Sequence, residues 1–159
     1  MGPPLIIPSG VTDVKCGDSV TIISPANIYG CTLGDNVFIG PFVEIQKGAL
    51  IGNDTRIQSH TFICELVTIG SSCFIGHGVM FINDSFSVGH PARGDKTRWK
   101  STAISNHVYI GSNATILPVS ICQDVVIGAG SVVTRDITVP GIYAGNPARP
   151  LSSSKSDPH

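Results

Sequence analysis

The stretch Leu33-Gly34-Asp35-Asn36-Val37-Phe38-Ile39-Gly40-Pro41-Phe42-Val43-Glu44-Ile45 carries a large apolar side chain at every sixth position, and the spacing continues through Ile51, Ile57, Ile63, Ile69, Ile75 and Phe81. Four residues beyond each apolar residue stands a small or β-branched one: Val37, Val43, Ala49, Thr55, Thr61, Val67, Cys73 and Val79. Glycine often follows the apolar residue, as at Gly34, Gly40, Gly52, Gly70 and Gly76. This period fits neither the turn of an α-helix nor the alternation of an isolated strand, but it suits short strands that turn a corner every six residues. Three such sides close a triangular coil. Stacking coils at roughly 4.8 Å buries the apolar rows as interior ladders, and glycine after the apolar residue allows a tight corner without a Cβ clash. A β-sandwich would instead alternate apolar and polar residues between hairpin turns, and it would not keep phase for so many repeats.

Outward from this stretch the pattern weakens but persists. Ile22 and Ile28 precede it; Ile104, Ile110 and Ile116 resume it, and after a slip of one residue it runs through Ile121, Ile127, Val133 and Val139. The expectation is an all-β parallel helix forming one domain over residues 1–150, with 151–159 as a flexible C-terminal tail. Composition agrees: with 18 glycines, 11 prolines and only 13% charged residues but 42% hydrophobic ones, a chain of 159 residues is neither a coiled coil nor a disordered protein. A net charge of −1 gives no general drive toward nucleic acid or anionic lipid, so neither is expected as a partner. No apolar run is long enough to span a bilayer, and Met1-Gly2-Pro3-Pro4 lacks the basic flank of a signal peptide, which reads as a soluble, cytoplasmic protein. Cys16, Cys31, Cys64, Cys73 and Cys122 form no metal-type cluster and read as reduced thiols.

Between about Asp84 and Ala103 the repeat disappears, and the intervening segment holds His90, Arg93, Asp95, Lys96, Arg98, Trp99 and Lys100. So long an excursion inside a compact repeat is either functional or a solvated flap. Its cations beside Trp99 would suit a phosphate and a flat ring, as in a nucleotide. The coil spacing also predicts vertical neighbours. Lys47, Glu65 and Asn83 share the third place of their hexads and form a polar ladder that ends at the loop's base, beside Asp84. On the neighbouring side His60 holds a fourth place and His77 a third.

The hexads Leu33-Gly34-Asp35-Asn36-Val37-Phe38, Ile51-Gly52-Asn53-Asp54-Thr55-Arg56 and Ile127-Gly128-Ala129-Gly130-Ser131-Val132, closed by Ala144-Gly145-Asn146-Pro147-Ala148-Arg149, resemble the hexapeptide-repeat acyltransferases over roughly residues 14 to 150. The resemblance implies a left-handed coil, a homotrimer, and a loop that reaches a neighbouring subunit to wall the substrate cleft. Handedness comes from the resemblance, since the general rule for parallel crossovers would give the right-handed form.

Relatives that acetylate hydroxyls carry a histidine base soon after the last hexad before the loop, and Gly89-His90-Pro91 resembles that motif. Counted from Ile75, however, His90 lies about four residues too far along, and the phase-matched stretch is Phe81-Ile82-Asn83-Asp84. Asparagine there resembles the branch that N-acetylates amino sugars linked to a nucleotide. A neutral amine is already a good nucleophile toward acetyl-CoA, so positioning and a late proton acceptor matter more than a strong base. Asn83 would position the amine, and Asp84 or Glu65 would attract its ammonium form and help remove the proton. His60 and His90 complete the catalytic candidates. For the acetyl-CoA arm the resemblance implies Gly111, Ser112, Ala129, Thr134, Arg135 and Arg149, the small residues admitting an extended ligand and the arginines meeting its phosphates. Many relatives end in a longer helix that Leu151–His159 does not supply, so trimer contacts would fall to the coil sides and the loop.

The expected function is therefore acetyl-CoA-dependent N-acetylation of a UDP- or dTDP-amino sugar for surface polysaccharide or glycan synthesis. Three rivals stand beside it: an O-acetyltransferase using His90, a noncatalytic β-helix scaffold, and a carbonic anhydrase-like metalloprotein. The last needs three convergent imidazoles, and His60, His77, His90 and His107 do not repeat that family's spacing; no metal is expected.

Overall fold

The computed structural model describes residues 4–5 and 7–151, so the proposed tail, apart from Leu151, lies outside the described residues. The chain winds as a left-handed β-helix of about seven turns. Among the described residues its three faces are parallel sheets of seven, six and eight strands, the third closed by one antiparallel strand, Arg149–Pro150. The first face includes Glu44–Ile45, Phe62–Ile63, Met80–Phe81, Thr115–Ile116 and Val132–Val133. The second includes Leu50–Ile51, Val67–Ile69, Thr102–Ile104 and Ser120–Ile121, and the third Arg56–Ile57, Phe74–Ile75, Tyr109–Ile110 and Val125–Ile127. In the middle of the coil Phe62 pairs with Met80 and Arg56 with Phe74, eighteen residues on in each case.

The hexad's first residues form the interior ladders as expected. Ile45, Ile63, Phe81, Ile116 and Val133 stack inside the first face; Ile51, Ile69, Ile104 and Ile121 stack inside the second, and all are buried. Where the small position holds threonine, its hydroxyl finds a carbonyl of the coil above: Thr55 Oγ1 donates to Gly70 O and Thr61 Oγ1 to Gly76 O, both at 2.9 Å. No buried hydroxyl is thereby left without a partner at these rungs.

Two expectations change. Glycine in the second place does not make the corner. The left-handed corner residue is the fourth, with positive φ at Asn36, Phe42, Gly48, Asp54, His60, Leu66, Ser72 and Gly78. Second-place glycine instead makes room for the next coil: a Cβ on Gly52 would stand 2.5 Å from the Gly70 carbonyl carbon, and one on Gly111 would stand 2.4 Å from Ala129 N. The last ladder residue of the second face is Ile137, which bridges Ile121 and is 6% exposed, whereas Val139 is 62% exposed. The coil is short there because Asp136 Oδ1 accepts from Ser120 N at 2.8 Å, pinning the chain down before a sixth residue is used.

The steps that depart from six residues all cross one corner, between the first and second faces. They are Val11 to Cys16, Ile28 to Leu33, Phe81 to Ile104, Ile116 to Ile121 and Val133 to Ile137. The long loop leaves from that corner.

Candidate active site

The neck of the loop is closed by Lys100 N, which donates to Asn83 O at 2.9 Å. Within the loop Asp84 acts as a staple: Oδ1 accepts from Phe86 N at 3.0 Å and Oδ2 from Ala92 N at 2.6 Å. The Ala92 amide, then that of Phe86, holds the Asp84 carboxyl below the ordinary carboxylate range against a partial desolvation, with Arg98 and His90 adding to the depression. A depressed pKa means that the staple is complete at neutral pH and fails only as acid passes below that range. Asp84→Asn is therefore expected to expose the loop to trypsin at Arg93 and Lys96 at least about fivefold faster at neutral pH. Wild type should reach that rate only in acid, as read by limited proteolysis with an acid-tolerant protease.

The expected ladder is present between Asn83 and Glu65, where Asn83 Nδ2 donates to Glu65 O at 3.2 Å. Lys47 stands one coil below, but the cation on the Glu65 carboxylate comes from the loop. Lys96 Nζ lies 2.8 and 2.7 Å from its two oxygens and 5.2 Å from the centre of the Trp99 ring. In the sequence Lys96 is one of several loop cations, and opposite charge on the ladder below was the signal for the pair. Beneath Glu65, Gln46 Oε1 accepts from Glu65 N at 3.3 Å while Gln46 Nε2 donates to Glu44 Oε1 at 3.0 Å. Burial, then the Glu44 and Glu65 carboxylates, raise the Tyr29 hydroxyl pKa, so this polar stack keeps its tyrosine neutral.

Between loop and first face lies a cleft of about 690 Å³, with Phe62, Met80, Phe86, Trp99 and Leu117 as its apolar walls and Asn83 among its lining residues. Cys64 also lines it, its thiol pushed up to about 11 by burial and so protonated at neutral pH. The apolar floor was missed in the sequence; its signal was Cys64, Ile82 and Leu117 in the second place, where glycine is common.

The remaining candidates fall elsewhere. His60 is a corner residue at the opposite edge of the first face, its ring stacked 4.9 Å from Phe42. His90 is exposed in the loop, and its Nδ1 donates to Pro91 O at 2.9 Å. Neither lines the cleft. Gly111, Ser112 and Ala129 stack at the His60 corner, above His77, whose backbone N donates to Ser112 Oγ at 3.2 Å. Thr134 and Arg135 instead cap the loop corner. Ile82 N donates to Ile116 O and Leu117 N to Val133 O, so Leu117 and then Thr134 follow Ile82 up the coil. Arg149 is exposed on the closing turn, which clasps Val132 through Gly145 O and Ala148 N. The donor candidates thus flank one face at its top rather than forming a single row.

Among the described residues no group of three or more histidine, cysteine, aspartate or glutamate side chains could hold a metal ion. No helix among them is long and apolar enough to cross a membrane.

Residues 30–65 match the family described as bacterial transferase hexapeptide (six repeats), and residues 102–135 match the hexapeptide repeat of succinyl-transferase. Over 143 residues, 89% of this chain, it is 33% identical to the bifunctional protein GlmU of Streptococcus uberis. The chain spans less than a third of the length of such relatives, 29% in this case. In fold it is similar to AntD, an N-acyltransferase from Bacillus cereus seen in complex with dTDP and coenzyme A: TM-score 0.74, 23% identity, 92% of this chain and 86% of that one. It is also similar to the hexapeptide-repeat acetyltransferase VCA0836 from Vibrio cholerae, seen with acetyl coenzyme A: TM-score 0.59, 27% identity, 82% of this chain and 72% of that one.

Proposed function

The chain carries the hexapeptide repeat of the bacterial transferases, and we propose that it moves an acetyl group from acetyl-CoA to the amino group of a nucleotide-linked amino sugar. The observation that carries this reading is the corner where Asn83 opens onto the cleft. A cation-rich loop stands beside it, and Thr134 and Arg135 stand two coils above on the same edge. AntD and VCA0836 support it as relatives in fold with coenzyme A or acetyl coenzyme A bound.

In this reading the thioester descends past Thr134 and Leu117 to Asn83. With Nδ2 held by Glu65 O, the Asn83 amide has its Oδ1 left to accept from the incoming amine. The neutral amine attacks the thioester carbonyl, the C–S bond breaks, and the amine proton leaves with the CoA thiolate. Asp84, engaged through both oxygens, holds the loop rather than the proton. Arg93 and Lys100, exposed on the loop, would meet the nucleotide diphosphate. The assembly is a homotrimer in this reading; Phe74, Tyr109, Val126 and Ile142 form an exposed apolar column on the third face that supports such a contact. Its place is the cytoplasm and its product feeds surface polysaccharide.

Free-thiol release from acetyl-CoA with a panel of UDP- and dTDP-amino sugars tests the proposal, and release only with hydroxyl acceptors overturns the nitrogen assignment. His90 gives a second reading, O-acetylation, which requires His90→Ala to lose at least about a hundredfold in turnover. Because His90 faces solvent outside the cleft, the N-transfer reading expects a change of less than about threefold in the same assay.

A further inference from the structure

The cleft is larger and less polar than a two-carbon group requires. Of its polar lining, Gln46 is engaged at both ends of its amide by Glu44 and Glu65 N, and Asp84 at both oxygens by Phe86 N and Ala92 N. Asn83 gives one N–H to Glu65 O, which leaves its carbonyl oxygen, the second hydrogens of the Asn83 and Gln46 amides and the exposed Ser85. The other lining groups are Phe62, Met80, Phe81, Ile82, Phe86, Leu117, the neutral thiol of Cys64 and the ring of Trp99. A nucleobase or sugar buried here would find few partners for its own donors and acceptors, and an unpaired polar group in such a place opposes binding. A hydrocarbon chain asks for none. The route agrees with this: Thr134, Leu117, Ile82 and Cys64 descend one edge of the coil, so a donor entering at the top reaches Asn83 with its carbonyl while its acyl tail continues into the cleft.

Resting on the site reading given above, we propose that this cleft is an acyl pocket and that the preferred donor is a CoA thioester with a chain longer than acetyl, of roughly four to eight carbons. The chemistry is unchanged. The amine nitrogen bonds to the thioester carbonyl, the C–S pair leaves with sulfur, and the displaced proton yields the free thiol; acetyl-CoA is a slower substrate of the same site.

Thiol release is measured with acetyl-, butyryl- and hexanoyl-CoA against one amino sugar that is accepted. Each methylene entering an apolar pocket strengthens transition-state binding by roughly fourfold, so butyryl- or hexanoyl-CoA is expected to exceed acetyl-CoA in kcat/KM by at least about tenfold. Leu117→Phe, which narrows the cleft, is expected to lower the hexanoyl-to-acetyl ratio by at least about fivefold. Turnover of acetyl-CoA with no gain from longer chains, or a ratio unmoved by Leu117→Phe in a folded variant, overturns the pocket while leaving the acetyltransferase reading in place. Turnover of no thioester with any amino sugar overturns both.

Discussion

Asn83→Ala is expected to lower kcat/KM for acyl transfer by about a hundredfold, with the coil still folded. The size follows from what the side chain does. In the proposed reaction it supplies no base and no covalent intermediate, only the placement of the amine over the thioester carbonyl, and loss of such placement costs on the order of 10² in rate. The structural loss is small by comparison, because Asn83 Nδ2 makes one hydrogen bond, to Glu65 O at 3.2 Å, worth about 1 kcal/mol. Steady-state thiol release, with the far-ultraviolet circular dichroism melt as a control, separates the two effects. A loss below about threefold would remove Asn83 from the transfer step. Asp84→Asn acts on the same loop through the staple, so it should disturb KM and protease sensitivity together rather than kcat alone.

The second large effect concerns the coil. Phe81 is fully buried and is the last ladder residue before the loop, paired in register with Ile116 above, with Ile63 below it in the same interior column. Phe81→Ala is expected to cost about 3–5 kcal/mol, the ordinary range for truncating a buried phenylalanine whose surroundings cannot collapse. Collapse is opposed because the coils above and below are fixed by parallel pairing, such as Met80 with Thr115 and with Phe62. In a stacked repeat the damage should be nearest-neighbour, so amide exchange should quicken first at Ile63 and Ile116 and last at Ile39. Urea unfolding followed by circular dichroism checks the total. A cost below about 1 kcal/mol would mean that this rung is not packed as described.

Much of this fold is legible because a six-residue period admits few structures: it fixes which side chains face inward and which coils they stack through. The handedness was carried by resemblance rather than by the period. Position within the hexad was harder to assign to a cause. Glycine in the second place looks like a corner signal, yet the fourth-place residues Phe42, His60 and Leu66 take the left-handed corner while Gly52 serves the coil above it. The Val139 expectation extended the period one step too far, since a hydrogen bond from Ser120 N to Asp136 shortens the final step and a backbone cap has no periodic signature.

The candidate site was legible in part. Asn83 and Glu65 share a ladder position, and that relation can be counted in the chain. Lys96 reaches Glu65 from within an aperiodic loop, where counting gives no geometry. His60 and the Gly111–Ser112 pair belong to the opposite corner from Thr134 and Arg135. A motif carried over residue by residue did not reveal that they flank one face. In hindsight the irregularities mark the place: the steps of anomalous length all cross the corner that holds Asn83.

In the proposed reaction an acyl thioester meets an amine at that corner. That step is tested most directly by incubating the protein with acetyl-CoA labelled with ¹³C at the carbonyl and a ¹⁵N-labelled nucleotide amino sugar, and recording the ¹³C spectrum of the product. Transfer to nitrogen gives a new amide carbonyl split by one-bond coupling to ¹⁵N, absent with Asn83→Ala at matched time. An ester carbonyl without that coupling, or label that never leaves the thioester, would contradict it.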